Sequence, residues 1–344
     1  MPLYPNFGHY RGWESRRPLM LTVYEVVEGV LIKHEGQAPI SPAVVWIDLF
    51  NPTKDEDLSV EQALSITVPT REEMSEIEAS SRLYQEGGGH YMTAVVLHQP
   101  DLPFDAPVAT PITFILAGTR LVTVRYAQPR AFSIFLTRAQ KKDAVCMTGV
   151  AVLVGLLEAI IDREADRVER IQGEVDKLSH SIFSGKGAER TRTRQFDVMI
   201  QLIGREGELT SRSRESMLTL DRLTTYLGHV MGERGDEKVL RARVKTASRD
   251  VRSLADHIGY LSAKITFLLE ATLGMINNEQ NTIIKIFSVL AVALMPPTLV
   301  GTIYGMNFKH MPELEWLWGY PSALALMVVS AVLPWMYFKR KGRL

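Results

Sequence analysis

Three hydroxyls and one amide fall in step near the C-terminus. Counting from Asn281 in alternating steps of three and four gives Asn281, Ile284, Ser288, Ala291, Met295, Thr298 and Thr302, one seam on a helix. Its polar members, Asn281, Ser288, Thr298 and Thr302, offer neutral oxygens inside or beside an otherwise apolar stretch. Hydrocarbon does not solvate such groups, so they should face protein or water. On a lone membrane helix the seam would serve no purpose; on several copies packed around an axis it would line a pore. The competing reading is local, because Ser and Thr hydroxyls also bond back to carbonyls of their own helix. Pro296-Pro297 interrupts the same stretch, removing two amide donors and freeing backbone carbonyls. Just past the seam stand Gly305, Met306 and Asn307, and then a loop containing Glu313 and Glu315.

Two uncharged spans must carry these residues. Ile286 to Phe308 and Trp316 to Phe338 each hold 23 residues, against the roughly 20 helical residues that cross a hydrocarbon core. Only Lys309 to Glu315 lie between them, so the chain should end in a membrane hairpin. Lys285 precedes the first span, and Lys339, Arg340, Lys341 and Arg343 follow the second. By the positive-inside rule both ends then face the cytoplasm.

Upstream, residues 19–33 and 43–50 read as strands bounded by turn residues, and residues 53–85 as helix. Strand patterns return at 90–98, 112–117 and 120–126, the last two separated by a Gly118-Thr119 turn. From about Lys141 the pattern is long helix: 143–183, then 191–231, then a third from Asp236 with no break before Pro296. If continuous to Ile303, that third helix has 68 residues and a length of about 100 Å. The expected fold class is an α+β membrane protein. It has a cytosolic α/β domain over 1–140, a helical stalk over 141–280 continuous with the first transmembrane helix, and a hairpin with a basic tail over 281–344. Extended toward the cytosol, the seam meets Asn277, Gly274, Glu270, Phe267, Ala263, Tyr260 and Asp256, a mixture suited to a wet vestibule.

The run IIKIFSVLAVALMPPTLVGTIYGMNFKHMPELEW, with Gly-Tyr-Pro opening the second helix and a basic tail after it, resembles the CorA family of magnesium channels. That family's signature is Gly-Met-Asn at the outer end of the first of two C-terminal membrane helices. The resemblance is specific over about residues 245–344 and compatible elsewhere. It implies a homo-oligomer, a pentamer, that passes magnesium, with cobalt and nickel as further cargo, across the inner membrane. Carried over by position, Asn307 with the Gly305 carbonyl forms the outer selectivity ring and Met306 packs behind it. Asn281 forms an inner polar ring, Ile284 and Phe287 the hydrophobic gate, and Thr298 and Thr302 intermediate rings that contact water. Phe287 stands one residue off the seam, which leaves the gate between Phe287 and Ser288. Neutral oxygens suit magnesium, which keeps its water shell and leaves a weak ring easily. Glu313 and Glu315 would raise the local cation concentration. The family also implies regulation by cytosolic magnesium, for which Glu72, Glu76, Asp250, Asp256 and Glu270 are candidate ligands.

Composition narrows the alternatives. Among 344 residues, 39 basic side chains balance 39 acidic ones, so nothing favours nucleic acid. One cysteine, Cys146, excludes an internal disulfide and a cysteine-rich zinc site and reads as a core residue. No basic segment followed by an apolar run opens the chain, so no signal peptide is expected and the region before the hairpin should be cytosolic. No phosphate-cradling glycine loop, His-x-x-x-His pair or Gly-x-Ser-x-Gly turn occurs, and no enzyme or organic cofactor is expected. Two other readings remain, a zinc-transporting relative of the same architecture and a membrane-tethered sensor that conducts nothing.

Overall fold

Turn and cap residues set where each element begins and ends. The computed structural model describes residues 21–35, 40–99, 107–140, 148–184, 192–306, 311–312 and 316–340, and Cys146 lies outside them. The expected strand at 19–33 is two strands, β1 (Leu21–Val27) and β2 (Val30–Glu35), because Glu28 and Gly29 both take positive φ and close a two-residue hairpin. β3 (Val44–Phe50) follows. The helix expected over 53–85 is instead α1 (Lys54–Leu64), α2 (Arg71–Met74), α3 (Ala79–Arg82) and strand β4 (Leu83–Glu86). Two capping boxes explain the break. Thr53 and Glu56 close one, Thr70 and Glu73 close the other, and Ser65 ends α1 in the left-handed region.

β5 (Gly89–His98), β6 (Val108–Ala117) and β7 (Arg120–Arg125) complete a seven-stranded sheet in the order β2-β1-β3-β7-β6-β5-β4. Among the described strands β3 and β7 run parallel, and the other pairs are antiparallel. A buried ion pair pins that parallel pair. Arg125 gives Nε and Nη2 to the Asp48 carboxylate at 2.9 and 2.8 Å, and Thr123 donates to Asp48 at 2.7 Å while accepting from Trp46 Nε1 at 3.0 Å. Each polar group here has a partner, which is what makes its burial tolerable. One apolar cluster gathers Leu21, Val23, Ile47, Leu49 and Val124 with Val60 of α1 and Met74 of α2.

α4 (Arg130–Ala139) and α5 (Gly149–Phe183) meet where Gly155 faces Phe135 so closely that a Cβ would stand 2.5 Å from the ring. α6 (Arg192–Arg234), α7 (Lys238–Tyr304) and α8 (Gly319–Arg340) complete the chain. Two compact units divide it, one of Met1–Ser184 with Gln201–Thr266 and one of Gly185–Ile200 with Phe267–Leu344. Within the first, the three long helices are cross-tied. Arg243 of α7 meets Glu158 of α5, His257 meets Gln172, Lys264 meets Asp176, and Arg252 meets Asp221 of α6. Partner numbers rise together along α5 and α7, so those helices run parallel.

The sheet also has an edge to protect. β4 pairs with β5 only from Gly89 to Met92, leaving Val95 and Leu97 with outward backbone groups. Helix side chains answer them. Val95 N–H donates to Thr219 Oγ1 of α6 at 2.9 Å; Arg167 of α5 donates to the Leu97 carbonyl at 3.3 Å, and Glu164 accepts from the Leu97 amide. Glu164 and Arg167 also pair with each other. Burial raises the Glu164 pKa, opposed by the Arg167 charge.

Candidate ion-conduction path

α7 remains one helix of 67 residues through Pro296 and Pro297. Neither proline carries an amide hydrogen, so the carbonyls of Val292 and Ala293 lose their usual donors four residues on. All seven seam residues, Asn281, Ile284, Ser288, Ala291, Met295, Thr298 and Thr302, are exposed, as is Phe287. The partly covered residues lie on the opposite side: Val289, Ala293, Pro296, Pro297, Val300, Gly301 and Tyr304. α8 packs there. A Cβ on Gly301 would stand 3.3 Å from Met327 Cε, and Val300, Ile303, Tyr304, Met311 and Leu326 line a cleft of about 270 Å³. In heptad terms α8 covers b, c and f positions and, at Gly301, a g position, and leaves a and d, the seam, open.

Among the described residues two helices, α7 and α8, are long and apolar enough to cross a membrane, with windows of mean hydropathy 2.1 and 1.6. Off the seam, Thr282 returns its hydroxyl to the Asn278 carbonyl at 2.9 Å, and Lys285 marks the start of the uncharged span. The local reading of the seam hydroxyls also holds: Thr298 donates to the Leu294 carbonyl at 2.7 Å and Thr302 to the Thr298 carbonyl at 2.8 Å. Back-bonding and exposure on the seam therefore coexist in the same residues. With both Phe287 and Ser288 exposed, the single chain leaves the gate position between them.

The helix ends by tightening. Gly305 N–H reaches the carbonyls of Gly301 (3.0 Å) and Thr302 (3.2 Å), and Met306 N–H reaches that of Ile303 at 3.2 Å. A C-terminal helix end carries about half a negative charge, so a favourable cation environment lies next to Gly305 and Met306. Asn307, Glu313 and Glu315 fall outside the described residues.

The candidate regulatory acids are scattered. Glu72 and Glu76 are exposed on and just after α2; Asp250, Asp256 and Glu270 are exposed along α7. Among the described residues, no three His, Cys, Asp or Glu side chains converge as a metal-holding group. Asp256 does share a groove of about 520 Å³ between α5 and α7 with Glu169, Gln172, His257 and Tyr260. Sequence reasoning passed over Glu169 and Gln172. Their i, i+3 spacing places them on one face of α5, but which helix that face meets is a tertiary fact.

Comparison with known proteins agrees with this architecture. A family model described as CorA-like Mg2+ transporter protein matches residues 41–340. The magnesium transport protein CorA of Salmonella typhimurium is 33% identical over 326 residues, covering 94% of this chain and 99% of the relative. The structure is similar to that of the CorA magnesium transporter from Methanocaldococcus jannaschii, with TM-score 0.69, 17% identity and coverage of 96% of this chain and 100% of that one. The cytoplasmic domain of ZntB from Vibrio parahaemolyticus shares the fold at TM-score 0.56 and 10% identity, over 76% of this chain and 100% of that domain. With a family model spanning most of its length, a membrane hairpin and an identity of 33% to a relative that it covers almost end to end, the chain belongs to the CorA-like magnesium transporter family.

Proposed function

We propose that the chain is one subunit of a homo-oligomeric, pentameric channel that admits magnesium through a central pore, with cobalt and nickel as further cargo. The observation that carries this reading is the division of α7 into two faces, with α8 on one and the seam from Asn281 to Thr302 exposed on the other. Exposed hydroxyls in a span that meets hydrocarbon need another copy or water against them. Symmetric packing about an axis supplies both, and leaves α8 outside toward lipid.

In this reading Asn307 forms the outer ring with Gly305 and Met306, and contacts the ion through its water shell. Glu313 and Glu315 concentrate cations at the mouth, and Asn281 forms the inner ring. Ile284 with Phe287 or Ser288 forms a constriction that closes by dewetting. Cytosolic magnesium, bound among Glu72, Glu76, Asp250, Asp256 and Glu270, holds the pore shut. The domains divide at 140 and 280. The protein sits in the inner membrane with both termini cytoplasmic, needing no organic cofactor and no nucleic acid. Retention of Gly-Met-Asn followed by Met-Pro-Glu-Leu favours magnesium over zinc, since the likeness to the ZntB domain is one of fold.

Magnesium flux into proteoliposomes tests the proposal. The wild type should conduct and be blocked by cobalt hexammine, and Asn307→Ala should lower flux by about tenfold or more. A protein that conducts nothing, or conducts equally well as Asn307→Ala, would refute the filter.

A further inference from the structure

We infer that Thr298 and Thr302 select the sign of the permeating ion through hydrogen-bond polarity, presenting acceptors only to the lumen. The inference rests on the pore reading and adds a specificity rule to it. A hydroxyl has one proton and two lone pairs, and can ordinarily turn either toward a neighbour. Here both protons are committed to the carbonyls of Leu294 and Thr298, at 2.7 and 2.8 Å. Both residues are exposed on the seam, on the side of α7 away from α8. What each hydroxyl has left to offer is its lone pairs.

Waters around a cation turn their oxygens inward and both protons outward, so a hydrated divalent cation shows its surroundings a shell of donors. Waters around an anion spend one proton on the ion and expose lone pairs as well. A wall of acceptors therefore matches the hydrated cation and leaves part of an anion's shell unpaired, an asymmetry that needs no carboxylate. Without a formal charge the binding stays weak enough for release. The helical back-bond is thus the device that fixes the hydroxyl's orientation, rather than an alternative to lining a pore.

Thr298→Val with Thr302→Val keeps shape and β-branching but removes the acceptors; Thr298→Ser with Thr302→Ser keeps them. In proteoliposomes the double valine variant should lose about tenfold in magnesium flux and need about tenfold more cobalt hexammine for block, whose ammines offer donors only. The double serine variant should stay within about twofold of wild type on both measures. The relative permeability of magnesium over chloride, read from reversal potentials, should fall in the valine variant and hold in the serine one. Size-exclusion profiles confirm assembly, and single valine variants replace the double one if it does not assemble. Valine variants that conduct, block and select as wild type would overturn the inference, as would serine variants as impaired as valine. A wild-type protein that passes no magnesium at all is a different failure and takes the pore reading with it.

Discussion

Arg243 on α7 grips Glu158 on α5 through two parallel hydrogen bonds, Nε to Oε1 at 2.9 Å and Nη2 to Oε2 at 2.6 Å. The forked geometry fixes the longitudinal register of the two helices as well as their proximity. Both side chains are about one third exposed, so solvent screens the pair. Arg243→Ala should lower stability by about 1 kcal/mol. A double-mutant cycle with Glu158→Ala, followed by thermal unfolding in detergent, should return a coupling of the same sign. Under the regulation proposed above, the same variants should also shift the magnesium concentration that half-closes the pore.

Gly149 sits where the start of α5 crosses the β6–β7 turn. Its N–H donates to the Thr119 carbonyl at 2.8 Å, and a Cβ would stand 2.4 Å from Leu121 N and 2.5 Å from the Arg120 carbonyl carbon. These are backbone atoms that cannot rotate aside. Gly149→Ala should therefore cost about 2 to 3 kcal/mol, by the scale of overpacked sites. Gly155→Ala, whose obstacle is the Phe135 side chain rather than backbone, should cost less. Denaturation midpoints of the two variants give the comparison.

The carboxyl of Asp57 titrates at about 6 rather than 3.8, chiefly because burial disfavours its charge and secondarily because Glu61 and Glu56 repel it. A raised folded pKa means the native state holds the proton more tightly. The contribution of Asp57 to stability is then full below about pH 3.8 and lost as pH climbs through 6. Above that pH its charge is a net cost. Asp57→Asn should match wild type in acid and exceed it at pH 7 by about 1 kcal/mol, allowing for solvent screening. Thermal unfolding from pH 4 to pH 8 reads the crossover.

Glu164 is almost wholly buried, 1% exposed, and it shares the task of sealing the outer edge of β5 with Arg167 and Thr219. Among the described residues Glu164 is the ion-pair partner of Arg167, so removing the acid leaves the guanidinium buried without it. Glu164→Ala should cost about 3 to 5 kcal/mol, and Glu164→Ala with Arg167→Met should recover part of it. Thr219→Ala, which strips a single bond from the Val95 amide, should cost about 1 kcal/mol.

Features that depend on neighbours along the chain were legible before any packing was known. Two uncharged spans separated by seven residues, Lys309 to Glu315, imply a hairpin because hydrocarbon thickness sets span length. The seam from Asn281 to Thr302 is legible because helical period turns spacing into a face. The turn at Gly118-Thr119 and the long helix, expected from Asp236 and found from Lys238, also follow from local chemistry, since glycine permits the one and a periodic run with no proline before Pro296 carries the other. Over residues 53–85 the acidic pattern reads as one helix, although the Thr-x-x-Glu spacing at Thr53/Glu56 and again at Thr70/Glu73 is a local helix-start signal that divides it. The remaining features needed the folded chain. Which face of α7 receives α8, which helices seal Val95 and Leu97, why Gly149 must lack a side chain, and where Glu169 stands beside Asp256 all depend on chain segments far apart in sequence. Periodicity names a face, but only packing says what that face meets.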